Sequence, residues 1–279
     1  KIKALILEYA IELPEMTIID PKHDSQEERR KKFGVDFFEK RKRSGIMEAE
    51  AIQLMRERNH FGAMMVDSGL ADAMITGLTR SYRSSLKPLL QIIGLEKDVN
   101  RISGMYILNT KRGPLFLADT TVNLNPNAAQ IAEITQNVAK TIRKLKITPR
   151  IALLSYSNFG SSPGDDAEKM GKAATILHET NPSLIVDGEV QANFALNSDL
   201  MNEKFPFSTL ANKDVNTLIF PNLSSGNIAY KLLQQMTDGD AIGPILIGLK
   251  KAIHVVQLGS SVREIVNMVK IAVIDAQNK

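Results

Sequence analysis

The chain has 279 residues, 43% hydrophobic and 24% charged, the balance of a globular protein with enough apolar material for one large or two modest domains. Disorder and fibrous classes are thereby excluded. It contains no cysteine, which excludes disulfides, thiolate metal sites and cysteine nucleophiles together, and its formal charge of +4 is a mild basic excess.

Four histidines (His23, His60, His178 and His254) remain as soft ligands, and no two stand at a helical metal-ligand spacing, so no metal site is expected. No apolar run approaches the roughly 20 residues needed to cross a bilayer, so no membrane partner is expected. The opening Lys-Ile-Lys-Ala-Leu-Ile-Leu-Glu-Tyr lacks a signal peptide's layout, and a cytoplasmic location is expected. It reads as an amphipathic helix entered part-way, as in a piece of a longer polypeptide.

In chain order, a strand is predicted at Met16–Ile19, followed by helices at Gln26–Arg43 and Met47–Arg58. Next come a strand at Ala73–Thr76, a helix at Ser84–Ile93, and strands at Ile102–Leu108 and Leu115–Asp119. Asn125-Pro126-Asn127 carries a helix-start signal ahead of a helix at Ala128–Leu145. A strand at Arg150–Ser155, a helix at Ala167–Glu179, and strands at Ile185–Gly188 and Thr217–Phe220 follow. A helix at Ser225–Gln235, a strand at His254–Gln257 and a helix at Val262–Asp275 complete the series. Short aliphatic strands alternating with longer helices predict an α/β fold of mostly parallel sheets flanked by helices.

The densest basic run, Arg29–Arg43, interleaves Glu and Asp with Lys and Arg, and Phe33, Phe37 and Phe38 recur at helical spacing. It reads as a solvated amphipathic helix. With 5% aromatics and none set among basic residues on a strand, no nucleic-acid partner is expected.

Three strand-to-helix junctions draw the functional reading, because ligands in parallel sheets sit outside the carboxyl ends of strands, where helix N-termini offer N–H groups to anions. The first carries Thr79, Arg80 and Ser81, with Arg83 and Lys87 four apart on the following helix. Its two readings are a phosphate site and an ordinary charged surface helix. The second carries Ser157, Asn158, Ser161 and Ser162 before Gly164-Asp165-Asp166; it fits neither a P-loop nor the dinucleotide fingerprint, and reads as a ligand loop or a cap-rich turn. The third, Pro221 to Asn227, has no ionisable group. Asp187-Gly188-Glu189 is either an acid pair with a chemical role or a turn with solvated carboxylates. An anion-binding cleft is supported, and a nucleophile–base pair is not.

Taken in order, the blocks Phe61–Val66, Ala71–Met74, Ala118–Asn123, Pro221–Leu233, Ala241–Leu246 and Ile265–Met268 resemble the phosphate acetyltransferase (phosphate acetyl/butyryltransferase) family over essentially the whole chain. Within it, Leu117–Asn123 and Ser155–Ser162 look most like the version fused behind an NADP-dependent malic enzyme.

The resemblance implies two lobes of the isocitrate/isopropylmalate dehydrogenase-like type, residues 1–126 with 244–279 and residues 127–243, with the family's opening strand and helix missing. It also implies a homodimer or higher homo-oligomer, and acetyl-CoA, a related acyl-CoA or an acyl phosphate as ligand. No cofactor is implied for this domain; NADP and a divalent metal (Mg or Mn) are implied for the malic enzyme partner domain.

Active members carry Ser-Arg-Gly just before Val-x-Asp/Glu-Ile-Val. In this chain the run reads Gln257-Leu258-Gly259-Ser260-Ser261-Val262, so Gln257 and Leu258 replace the serine and arginine. Lys87 replaces the family arginine before Pro-x-Leu-Gln-Ile-Ile, keeping the charge without the bidentate fork. No catalytic residue is therefore assigned. The ligand candidates are Thr79, Arg80, Ser81, Arg83, Lys87, Ser157, Asn158, Ser161, Ser162 and Asn227.

Overall fold

The structure is a computed structural model describing residues 2–14, 16–236 and 241–279. It divides into two compact units, Lys1–Phe61 and Gly62–Lys279.

The first unit contains α1 (Ile2–Glu8), α2 (Glu27–Arg41) and α3 (Glu48–Leu54), with α4 (Arg58–Asp67) beginning at its end. Acidic Glu27 and Glu28 open α2 and basic Lys40 and Arg41 close it, matching the helix dipole at both ends. Phe33 and Phe37 are buried on one face, and Phe33 meets Phe61 edge-on at 5.3 Å between ring centroids. A Cβ on Gly34 would lie 2.5 Å from Ile52 Cα, so a glycine is what lets α2 and α3 approach closely.

The strand expected at Met16–Ile19 does not form. The segment is irregular and pairs with no strand among the described residues, and Met16 and Ile18 are exposed. A β-branched run supplies the propensity but not the ladder partner that makes a strand. The residues after it are anchored instead by the buried Arg30, which donates to the carbonyls of Pro21 (2.8 Å) and His23 (2.6 Å). The helix expected at Met47–Arg58 is divided, with a tightened turn at Met55 separating α3 from α4.

The second unit opens with β1 (Ala73–Gly77), α5 (Tyr82–Ile92), β2 (Ser103–Thr110), β3 (Gly113–Ala118) and α6 (Ala128–Lys144). It continues with β4 (Arg150–Leu154), α7 (Asp165–Thr180), β5 (Ile185–Val190), α8 (Ala192–Ala195) and α9 (Ser198–Lys204). It ends with β6 (Thr217–Ile219), α10 (Leu223–Met236), β7 (Ala241–Ile247), β8 (Ala252–Val256) and α11 (Val262–Gln277).

Six strands form one sheet in the order β5-β4-β6-β3-β2-β7, parallel from β5 through β3 and antiparallel at β2 and β7. A second sheet pairs β1 with β8 in parallel. This is the α/β fold of mostly parallel sheets flanked by helices read from the sequence. The unforeseen strand is β7, whose Gly243-Pro244 looks like a turn; it lies at the sheet's edge, where proline is tolerated.

Along β4, Ile151 and Leu153 join one apolar cluster with Ile131, Val138 and Ile142 of α6 and Met170 and Leu177 of α7. Ala152 and Leu154 join the opposite cluster with Tyr106, Leu218 and Tyr230. Side chains alternate across a strand, so a sheet covered on both faces needs the continuous apolar runs that the sequence displays. The start of α6 is as predicted, with Asn127 as its cap, and Gln130 completes a reciprocal capping box. Among the described residues, no helix is long and apolar enough to cross a membrane.

His254, in the middle of β8, is fully buried, and its Nδ1 accepts from Leu246 N–H of β7 at 3.2 Å. Its Nε2 lies 3.7 Å from Asp275 Oδ2 without completing a hydrogen bond. Burial lowers its pKa from 6.5 to about 4, with Asp275 opposing the shift and Lys279 reinforcing it.

Between pH 6.5 and 4 the unfolded histidine is protonated while the folded one is not, so stability falls as pH falls through that window. The expected loss is about 3 kcal/mol, measurable by urea unfolding at intervals from pH 7 to 4. His254→Asn, which retains an acceptor for Leu246 N–H, flattens that part of the profile. An unchanged slope in the variant would assign the acid sensitivity to other groups.

Candidate functional site

Parallel pairing of β1 with β8 sets Gly77 opposite Val256, so the segments that leave the two strands start side by side. Gly77 has φ +121°, and a Cβ there would overlap the Val256 carbonyl oxygen; only glycine fits. Each segment runs into a capped helix. Ser81 caps α5 by accepting from Ser84 N–H at 3.3 Å, and Ser261 caps α11 in a capping box with Glu264. Two helix N-termini therefore follow adjacent strand ends, the local arrangement that favours an anion.

Thr79, Arg80 and Ser81 are exposed at the first of these segments, and Arg83 and Lys87 are exposed on α5. Gln257 and Leu258 begin the second. Leu258 is 64% exposed and offers neither charge nor hydrogen bond. Gln257 is half-buried, and its Nε2 donates to Tyr230 OH at 3.0 Å. Tyr230 is itself stacked on Tyr106, with centroids 4.1 Å apart and planes at 13°. Thus the amide at 257 is held against a buried aromatic pair.

Neither the hydroxyl of Tyr82 nor that of Thr121 completes a hydrogen bond, although both are buried. Burial drives the Tyr82 phenol well above its ordinary pKa, and Thr121 on one side partly offsets the effect. Burial likewise raises the phenol of Tyr106, reinforced by Tyr230.

The floor beside them is set by Asp119, which is 4% exposed. Its Oδ1 accepts from the N–H groups of Gly104 (3.0 Å), Thr121 (2.9 Å) and Val122 (3.1 Å). Its Oδ2 accepts from Asn123 N (2.8 Å) and Asn123 Nδ2 (2.5 Å). The candidate Asn227 joins here, donating from Nδ2 to the Thr120 carbonyl at 3.1 Å. Gly226 lets α10 come close, because a Cβ on it would overlap the Asp119 carbonyl oxygen.

The other candidates lie at the end of β4, two strand places from β3. Ser157 is fully buried and donates to Glu189 Oε1 at 2.9 Å, while accepting from Ser162 N–H at 3.1 Å. Asn158 accepts from Gln191 N–H at 2.8 Å through Oδ1, and Ser161 Oγ accepts from Asn158 N–H at 2.9 Å. The hydroxyl of Ser157 and the amide oxygen of Asn158 are thus spent on building the loop. Ser161 is exposed and Ser162 half-exposed.

Asp187 and Glu189 are neither solvated turn acids nor free bases. Asp187 Oδ2 accepts from Ser208 Oγ (2.8 Å) and Thr209 N (2.9 Å), and Glu189 Oε1 accepts from Gly160 N (2.7 Å) as well as Ser157. Among the described residues, no three of His, Asp and Glu converge to hold a metal ion.

The structure thus joins Thr79–Lys87 to Gln257 and Leu258, and leaves the Ser157–Ser162 loop on a different strand end. Sequence reasoning missed Tyr82, Tyr106, Asp119, Thr121 and Tyr230 as site-building residues. The signal lay within reach only for Asp119, in the run Asp-Thr-Thr-Val-Asn directly after a strand.

The model for phosphate acetyl/butaryl transferase matches residues 1–273. The chain belongs to this family. The phosphate acetyl/butaryl transferase relatives include two architectures. The NADP-dependent malic enzyme of Escherichia coli K12 is 37% identical over 259 residues, covering 92% of this chain and 34% of that protein. The phosphate acetyltransferase of Treponema pallidum is 37% identical over 279 residues, covering 96% of this chain and 82% of that protein.

A phosphotransacetylase structure from Streptococcus pyogenes superposes with TM-score 0.87 at 35% identity, over 99% of this chain and 82% of that one. The chain spans about a third of the length of the malic enzyme relatives it matches. Membership in the phosphate acetyl/butaryl transferase family is shared by both groups and does not choose between them.

Proposed function

We propose that this domain binds acetyl-CoA or a related acyl-CoA or acyl phosphate without transferring the acyl group, and that binding regulates a malic enzyme domain on the same polypeptide. The observation that carries the reading is the end of β8. There Gln257 is hydrogen-bonded to Tyr230, and Leu258 is an exposed apolar side chain where the family's active members have serine and arginine. A leucine cannot offset developing negative charge. Ser261 is committed as a helix cap, and the carboxylate nearest it in sequence, Glu264, accepts from Ser261 N–H at 2.6 Å and so completes that cap.

Binding is supported by what remains: two capped helix N-termini that follow adjacent strand ends, and the cations Arg80, Arg83 and Lys87. Decarboxylation of malate, with NADP and Mg or Mn, would belong to the linked domain, and the assembly would be a homodimer or higher homo-oligomer. Regulation requires the ligand to bind two states of that assembly unequally.

The identity with phosphate acetyltransferases favours a second reading, a working acetyltransferase. The two are separated by titrating the chain with acetyl-CoA in a calorimeter and assaying acetyl-CoA formation from acetyl phosphate and coenzyme A. Binding without turnover, together with a response of full-length malic enzyme activity to acetyl-CoA, is expected. Robust turnover would establish the second reading, and neither binding nor response would remove the first.

A further inference from the structure

At the opposite end of the six-stranded sheet, the starts of β3, β4 and β6 border a cleft of about 600 Å³ that also touches the tip of the β2–β3 hairpin and the start of α9. That volume lies within the range of small-molecule sites. Leu115, Val215 and Leu233 supply apolar lining, and Arg112 and Arg150 stand among the residues around it.

Both guanidinium groups are positioned by main-chain carbonyls rather than by acids. Arg112 Nη1 donates to the Leu196 carbonyl at 2.9 Å. Arg150 donates through Nε to the Asp214 carbonyl and through Nη1 to that of Thr148 at 3.5 Å. Held this way, each group is restricted in orientation and still has further N–H donors to offer. Pre-orientation of this kind lowers the entropic cost of gripping an oxyanion. The carboxylates of Asp199 and Asp214 also line the cleft. Lys111 lines it too, so three cations face two acids, a net balance that suits one anionic group rather than a pyrophosphate or a nucleic acid backbone.

We infer that this cleft is a second ligand site, separate from the strand-end site, for a small organic molecule with a single carboxylate or phosphate on an apolar body. The apolar part lies on Leu115, Val215 and Leu233, and the anion is shared by Arg112 and Arg150.

The test is calorimetric titration of the 279-residue chain with 2-naphthoate, 1-naphthyl phosphate and the neutral 2-naphthamide. At least one anion binds at a single site, the amide does not, and the tighter anion names the head group. Arg112→Gln weakens that binding about tenfold, the loss expected for one charge-assisted hydrogen bond. Arg150→Lys, which retains charge but not the fork, weakens it less, and acetyl-CoA binding stays unchanged in both variants.

In the wild-type chain, amide chemical-shift changes on adding the anion fall on residues 110–115, 195–199 and 214–216. Absence of binding by both anions, equal binding of the amide, unaltered affinity in Arg112→Gln, or shift changes centred elsewhere would each overturn the assignment.

Discussion

Combining Leu258→Arg with Gln257→Ser raises acetyl transfer between coenzyme A and phosphate by about a hundredfold or more above the parent chain. Leu258 is 64% exposed, so the longer arginine meets no packed neighbour and reaches the space beyond the β8 end. A guanidinium there supplies a positive charge between the end of β8 and the N-terminus of α11, where the proposed ligand's anionic group would be bound.

Serine at 257 supplies the hydroxyl and breaks the hydrogen bond that ties the glutamine amide to Tyr230. The charge should matter more than the hydroxyl, because electrostatic stabilisation is commonly the larger contribution to rate. Leu258→Arg alone therefore gives most of the gain and Gln257→Ser alone gives little. Steady-state assays of thioester formation on the parent, both single variants and the double variant decide it. A double variant that binds acetyl-CoA and remains at background would show that more than the Ser-Arg pair has been lost.

Asp119→Ala is expected to destabilise the second unit by about 4 kcal/mol or more in urea unfolding. The carboxylate satisfies four backbone N–H groups and one side-chain amide while almost completely buried. Alanine leaves those donors without their acceptor, and each unpaired buried donor costs about 1–3 kcal/mol. The contributions do not add fully, because the loop relaxes once its anchor is gone. Asp119→Asn keeps one acceptor oxygen but turns an NH2 toward the N–H groups on the other side, so its expected loss is smaller but substantial. A loss below about 1 kcal/mol for alanine would mean that the loop's own backbone holds it.

The regular elements were legible where local chemistry decides them. The Asn127 cap, the amphipathic faces of α6 and α11 and the apolar runs of β2 and β4 each depend on neighbours in sequence. Met16–Ile19 shows the opposite case: its β-branched run is real, but a strand also needs a partner that no local pattern supplies.

The site was legible as a set of strand ends and not as a set of roles. Ser157 and Asn158 look like ligand groups until Glu189 and Gln191, about 30 positions away, take up their hydrogen-bonding capacity. The placement of Gln257 depends in the same way on Tyr230, which lies 27 residues earlier. Composition and spacing hold no information on which of two serines turns inward; packing decides it.

The Asp119 anchorage also has a consequence in time. Asn123 donates to the Ile102 carbonyl next to β2, Thr120 is hydrogen-bonded to Gly104 within β2, and Asn227 holds the loop from α10. The loop cannot open without β2 and α10 each giving up partners, so its opening free energy is tied to theirs rather than to that of a surface turn. A segment without regular secondary structure thereby shares the slow breathing of the sheet. Any ligand at the strand ends meets a wall that is already set before it arrives.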